Sequence, residues 1–161
     1  MSLHRATISW RLAEDGPAFL ARRYSRLHTL AFEGGAQVLG TPATSVVPAP
    51  FSSPEGVDPE QAFVAALSAC HMLWFLDHAV SAGFVVAAYE DAAEGTLGRL
   101  ARGKFAVTRV VLRPRIVFAG EARPTPEEVD RLHEAAHADC FIANSVTTEI
   151  VIEPAEAPTR P

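Results

Sequence analysis

The chain has 161 residues, enough for one domain or for one half of an intertwined dimer. Hydrophobic residues make up 48% and charged residues 20%, so it can bury a real core and is not a disordered polypeptide. A net charge of −5 leaves no basic surplus to release phosphate counterions, which argues against general nucleic-acid binding.

Residues 6–13 alternate, with Ile8, Trp10 and Leu12 on one side, and predict a strand. Before it, and across MSLHRATISWRLAEDG as a whole, no apolar core of a secretory signal is visible, so a cytoplasmic protein is expected. Residues 27–33 predict a second strand, Gly34-Gly35 a turn, and AQVLG its hairpin partner. The stretch 41–57 carries four prolines and no helical period, which predicts a long loop of the kind that often serves function.

The strongest element runs from Asp58 to Ala82. Asp58 suits an N-cap, Pro59 the first helical position, and Gln61 the capping-box position. Glu60 complements the positive end of the helix dipole, and Gly83 can close the helix in a left-handed conformation. The body, AFVAALSACHMLWFL, is apolar nearly all round, so the helix should be buried on most sides. Its uncharged run, Gln61 to Leu76, is only 16 residues, too short to argue for a membrane span. One small sheet covers one side of such a helix. A second copy of the chain is expected to cover the other.

Residues 84–98 predict one strand, with Glu90-Asp91 as a bulge or break, and residues 105–118 a long strand. In the latter, Ala106, Val110, Leu112, Ile116 and Phe118 share one face. Arg109, Arg113 and Arg115 lie on the other and read as a solvated surface, while Pro114 suggests an edge or bulge. Thr125-Pro126-Glu127-Glu128 opens a second helix with a capping box, buried through Val129, Leu132 and Ala136 and ending near Asp139-Cys140. Val146 to Glu153 alternates as a last strand, and the tail from residue 155 to 161 is expected to be disordered. The fold class expected is α+β with mostly antiparallel pairing, in a single domain over residues 1–154.

Only two cysteines occur, Cys70 and Cys140. They cannot staple a domain of this size, nor form a zinc site of four cysteines or of three cysteines and a histidine. Cys70 has Ala66, Leu67, Leu73 and Trp74 as helical neighbours, an apolar surround that by itself suits an inert structural thiol. His71 points about 100° away from it, and His78 lies about 12 Å along the axis, so neither makes a simple Cys-His pair. A hydrolase built on such a pair is disfavoured. Cys140 lies at a more mobile helix end, and sequence alone leaves open whether the two thiols meet. His133 and His137 stand at i, i+4, but nothing beyond Cys140 offers a third metal ligand. Trp74, Phe75 and Phe51 read as core or loop anchors, or as the lining of an apolar pocket.

VDPEQAFVAALSACH resembles the central-helix motif of the OsmC/Ohr family, the osmotically inducible protein C and organic hydroperoxide resistance proteins. ADCFIANSVTTEI is similar to that family's second cysteine motif, and the segment order matches from about residue 5 to 153. The resemblance implies antiparallel sheets wrapped around central helices in an intertwined homodimer. It also implies a thiol peroxidase that needs no metal, haem or other cofactor. Cys70 would be the peroxidatic cysteine, attacking the O–O bond of a hydroperoxide to leave a sulfenic acid. Cys140 would resolve it as a disulfide, which a dithiol or a lipoylated protein then reduces. Glu60 matches the family's helix-start glutamate and Arg26 its arginine, with Arg23 as the alternative. An arginine stabilises a thiolate, and a glutamate can fix the arginine. Glu60 and Cys70 lie about 15 Å apart along one helix, so the expected sites are shared across the dimer interface. His71, where much of the family carries an apolar residue, and YSRLH point to a less studied OsmC-like branch. The rival reading is a non-catalytic module that binds a small apolar ligand or only assembles as a dimer.

Overall fold

A computed structural model describes residues 2–155. The tail expected to be disordered lies, from residue 156 on, outside the described residues. The chain forms two units, Met1–Ala62 and Phe63–Pro161.

In the first unit, β1 (Ala6–Ser9), β2 (His28–Phe32) and β3 (Gln37–Gly40) make a three-stranded antiparallel sheet in the order β1-β2-β3. The first strand stops four residues earlier than the alternation suggested, because Trp10 leaves the ladder. Its indole N–H donates to the Ser25 carbonyl at 2.8 Å, and its ring lies tilted against Phe19 and edge-on to Tyr24. Phe19 sits on a short helix unforeseen in the sequence, α1 (Gly16–Leu20), whose N-cap Asp15 accepts from the Ala18 amide. The proline-rich loop is irregular as expected, yet it is pinned. Ser53 N–H donates to Thr41 Oγ1 at 3.0 Å, and Val57 N–H to the Leu39 carbonyl at 2.9 Å.

Helix α2 (Pro59–Ser81) begins where the capping signals placed it. Asp58 and Gln61 exchange reciprocal bonds, Gln61 N–H to Asp58 Oδ1 at 2.8 Å and Asp58 N–H to Gln61 Oε1 at 3.1 Å. Gly83, at φ +79°, ends it.

In the second unit, two sheets replace the two long strands read from the sequence. β4 (Val85–Asp91) pairs antiparallel with β7 (Pro114–Ala119). β5 (Glu94–Arg99) pairs antiparallel with β6 (Phe105–Leu112), which pairs in parallel with β8 (Glu149–Ile152). Residues 84–98 and 105–118 are therefore each two strands that change sheet. The changes fall just after Asp91 and at Arg113, and one carboxylate serves both. Asp91 Oδ1 accepts the Arg113 amide at 2.6 Å, and its Oδ2 accepts the Ser68 hydroxyl at 2.5 Å. Pro114 starts β7, a strand position that its missing N–H tolerates. The β6-β8 pair is parallel among otherwise antiparallel pairs, in keeping with mostly antiparallel pairing, and β8 is shorter than the Val146 to Glu153 strand read from the sequence.

α3 (Pro126–Asp139) carries the capping box read from the sequence, Thr125 with Glu128. α2 serves two apolar clusters. Leu67 packs with Val110 and Leu112, while Phe75 and Ala79 pack with Ile116, Leu132 and Ala136. The arginine face is ion-paired: Arg109 with Glu149, Arg113 with Glu94, and Arg115 with Glu90.

α2 has the length and mean hydropathy (1.4) of a membrane span, as the core helix of a water-soluble fold also does. Its row Leu67, His71, Phe75, Ala79 is buried inside this chain, and Ser68 is hydrogen-bonded. The opposite side is less covered than the sequence suggested: Ala65, Ala69, Leu73 and Val80 are exposed, Leu73 by 62%.

Candidate active site

The C-terminal end of α3 is built to hold one sulfur. Asn144 Nδ2 donates to the Ala138 carbonyl at 2.8 Å, satisfying one of the helix's orphan acceptors. Ser145 Oγ donates to the Phe141 carbonyl at 2.7 Å, and Asn144 N–H to the Cys140 carbonyl at 3.0 Å. Residues Ala143–Ser145 form a turn of 3₁₀ helix, and the Ala143 amide donates to Cys140 Sγ at 3.4 Å. The run CFIANS is thus a clamp around Cys140, which is 1% exposed.

Cys70 lies in mid-α2, half-buried, and the structure brings it to Cys140 with both sulfurs as free thiols. Burial and then the interaction with Cys70 push the Cys140 thiol up to about 11, against the opposing pull of the Ala143 and Ile142 amides. The meeting is part of a wider seam. Cys70, Trp74 and His78 form one i, i+4, i+8 row of α2. Trp74 packs edge-on against Phe141, with centroids 5.4 Å apart, and His78 Nε2 lies 3.0 Å from Asp139 Oδ2. Three residues of one helix row therefore meet three consecutive residues at the end of α3.

The neighbouring row carries a pair that the sequence did not announce. His71 Nε2 lies 3.0 Å from His133 Nδ1, with the rings at 8°. Both are buried, at 1% and 3% exposure, and both outer nitrogens, His71 Nδ1 and His133 Nε2, lack a partner among the described residues. Burial holds both imidazoles down at about 4, so they are neutral near pH 7. The sequence signal was a histidine in each of two otherwise apolar helical stripes. His137, weighed with His133 as a metal pair, is not part of this bond. Among the described residues no group of three or more His, Cys, Asp and Glu side chains is arranged to hold a metal ion.

Arg26 belongs to the first unit. Its guanidinium stacks over Tyr24 at 4.1 Å and donates to the carbonyls of Tyr24 and, at 3.4 Å, Arg22. It lines an apolar cavity of about 490 Å³ with Ile8, Trp10, Tyr24, His28 and Pro59. Arg23, the alternative, is exposed and does not line this cavity. Glu60 lies exposed in the first turn of α2, and Arg26 is bonded to backbone carbonyls rather than to it.

The fold and the paired thiols define a class, and comparison with known proteins gives it a name. A family model for OsmC-like proteins matches residues 52–155, and the chain belongs to that family. No curated protein matches it. Among solved structures, an OsmC-like protein of unknown function from Vibrio cholerae is 48% identical, with a TM-score of 0.92 over 96% of this chain and 100% of the other. An organic hydroperoxide resistance protein from Elizabethkingia anophelis, with thiocyanate bound, shares 20% identity and a TM-score of 0.70 over 99% and 98%. The organic hydroperoxide resistance protein OhrB of Bacillus subtilis shares 16% and 0.61 over 96% and 99%. The last two likenesses are likenesses of fold.

Proposed function

We propose that this protein is a thiol-dependent peroxidase that reduces organic hydroperoxides to alcohols. The observation that carries the reading is the Cys70–Cys140 pair, one thiol half-buried in mid-helix and the other clamped and buried beside it. The asymmetry favours one division of roles. Cys140, buried and with its thiol raised to about 11, is the poorer nucleophile at neutral pH, which supports Cys70 as the attacking sulfur.

In the first step the Cys70 thiolate takes the terminal peroxide oxygen. An S–O bond forms, the O–O bond breaks, and the alkoxide leaves as the alcohol after taking a proton. In the second step Cys140 sulfur attacks the sulfenic acid. The S–S bond forms, and hydroxide departs as water with the Cys140 proton. A dithiol, free or on a lipoylated protein, then reduces the disulfide. Two proteins that share the fold, from Elizabethkingia anophelis and Bacillus subtilis, are organic hydroperoxide resistance proteins, which favours this chemistry.

The proposal includes a single OsmC-like domain over residues 1–154, acting in the cytoplasm as a homodimer. The exposed apolar side of α2 is the surface a second copy would cover. Arg26 and Glu60 are assigned to the same site, Arg26 to steady the thiolate and Glu60 to orient the arginine from the partner copy.

Turnover of cumene hydroperoxide with dihydrolipoamide tests the reading. Cys70→Ser should abolish it, and Cys140→Ser mixed with peroxide in the absence of dithiol should stop after one equivalent with Cys70 trapped as sulfenic acid. Turnover that survives Cys70→Ser would overturn it. The cavity beside Arg26 favours a second reading, a binding module for a small apolar molecule, and saturable binding without peroxide consumption would establish that one.

A further inference from the structure

We propose that the buried His71–His133 hydrogen bond is a positioning element for the two cysteines: it fixes the register of α2 against α3 so that Cys70 meets Cys140. The inference rests on the reading that these two thiols form a disulfide.

The geometry is specific. His71 follows Cys70 directly on α2, and His133 precedes Cys140 by two helical turns on α3. The contact between the imidazoles is a single N–H···N bond of 3.0 Å, deep in the chain. An apolar pair would pack there without leaving polar atoms stranded, whereas this pair leaves both outer nitrogens unpartnered. What the imidazoles add is direction. Apolar side chains tolerate sliding along a helix interface, but a hydrogen bond between two rigid rings does not. The lever arm is short: a slip of one residue on α2 carries Cys70 about 1.5 Å along the axis and turns it by about 100°, away from Cys140.

The other links along the seam hold position less firmly. His78–Asp139 is solvated, Asp139 being 51% exposed, and Trp74 on Phe141 is an edge contact of two apolar rings. Phe75, packed on the His133 ring at 4.5 Å, buttresses the pair from the same row of α2.

The test reads thiol–disulfide equilibrium rather than peroxide chemistry. The full-length protein is equilibrated with mixtures of reduced and oxidised glutathione, and the fraction carrying an intramolecular disulfide is read from intact mass. The ratio gives the effective concentration of one thiol at the other. The pair H71L/H133L should lower that concentration at least tenfold while keeping a cooperative unfolding transition. Asn places its amide where the imidazole Nδ1 stands, so H133N should retain the wild-type value within about threefold. If the leucine pair does not fold, H133A is read in its place against H133N. An unchanged effective concentration in the leucine pair, or in its substitute, overturns the proposal. So does an H133N value as low as that of the apolar variant, since packing alone would then account for the effect. A protein inactive on every peroxide still answers this experiment, so failure of the positioning role and failure of the peroxidase reading are distinguishable.

Discussion

The Ser68 hydroxyl donates to Asp91 Oδ2 at 2.5 Å, tying the cysteine-bearing helix to the point where the chain changes sheet. The other oxygen of the same carboxylate holds the Arg113 amide at 2.6 Å, at the start of the second sheet change. Asp91→Ala removes both bonds and leaves a partly buried amide without its acceptor. It should cost about 2–3 kcal/mol of stability, and Ser68→Ala about 1 kcal/mol. Urea denaturation measures both, and an Asp91→Ala protein as stable as the wild type would remove Asp91 from its structural role.

The imidazole pair makes stability depend on acid. Free histidine titrates near 6.5, whereas burial holds His71 and His133 at about 4. Between those values the unfolded chain binds protons that the folded chain does not. Stability is therefore full above about pH 6.5 and is lost as pH falls toward 4, by up to about 3 kcal/mol per imidazole. His133 and, from the same helix, His137 press His71 in the same direction, while Asp91 on β4 opposes them. Urea midpoints between pH 7 and 4.5 should fall steeply in the wild type and much less in H71L/H133L. Equal slopes in the two proteins would contradict the assignment.

The first turn and caps of α2 were legible in the sequence, because Asp58, Pro59, Gln61 and Gly83 act on residues within a few positions of themselves. The second capping box, at Thr125 and Glu128, was legible for the same reason. The two sheet changes were not. Each hydrophobic run is continuous through residues 84–98 and 105–118, and the break depends on a carboxylate that reaches an amide 22 residues away. The cysteine motifs were visible as motifs, but their meeting was implied only by the family resemblance and not by spacing, since it follows from how one row of α2 seats against the end of α3. The histidine pair was hidden in the same way, as two residues 62 positions apart on separate helices.

The two thiols should differ sharply toward alkylation. With its thiol raised to about 11, Cys140 is ionised to only about one part in a thousand at pH 8. Iodoacetamide applied to the native reduced protein should modify Cys70 first, with Cys140 reacting only after denaturation. Peptide mass mapping reads the order. Prior modification of Cys140 would reverse the roles of the two cysteines.

The exposed side of α2 predicts assembly. Leu73 and Val80 are 62% and 75% exposed in the single chain, and covering them is the simplest use of an apolar helix face. The wild type should sediment as a dimer. Leu73→Glu should shift it toward monomer and lower peroxidase turnover, because the proposed site is shared between copies. A wild type that sediments as a monomer would remove the shared site.

The central claim is that Cys70 and Cys140 are a redox pair driven by hydroperoxide. Its most direct test is stopped-flow mixing of the fully reduced protein with one equivalent of cumene hydroperoxide, with thiols counted after the reaction. The account predicts rapid loss of two thiols per chain as a Cys70–Cys140 disulfide, and none through this route in Cys70→Ser. Thiols that persist at the rate of free cysteine would contradict it.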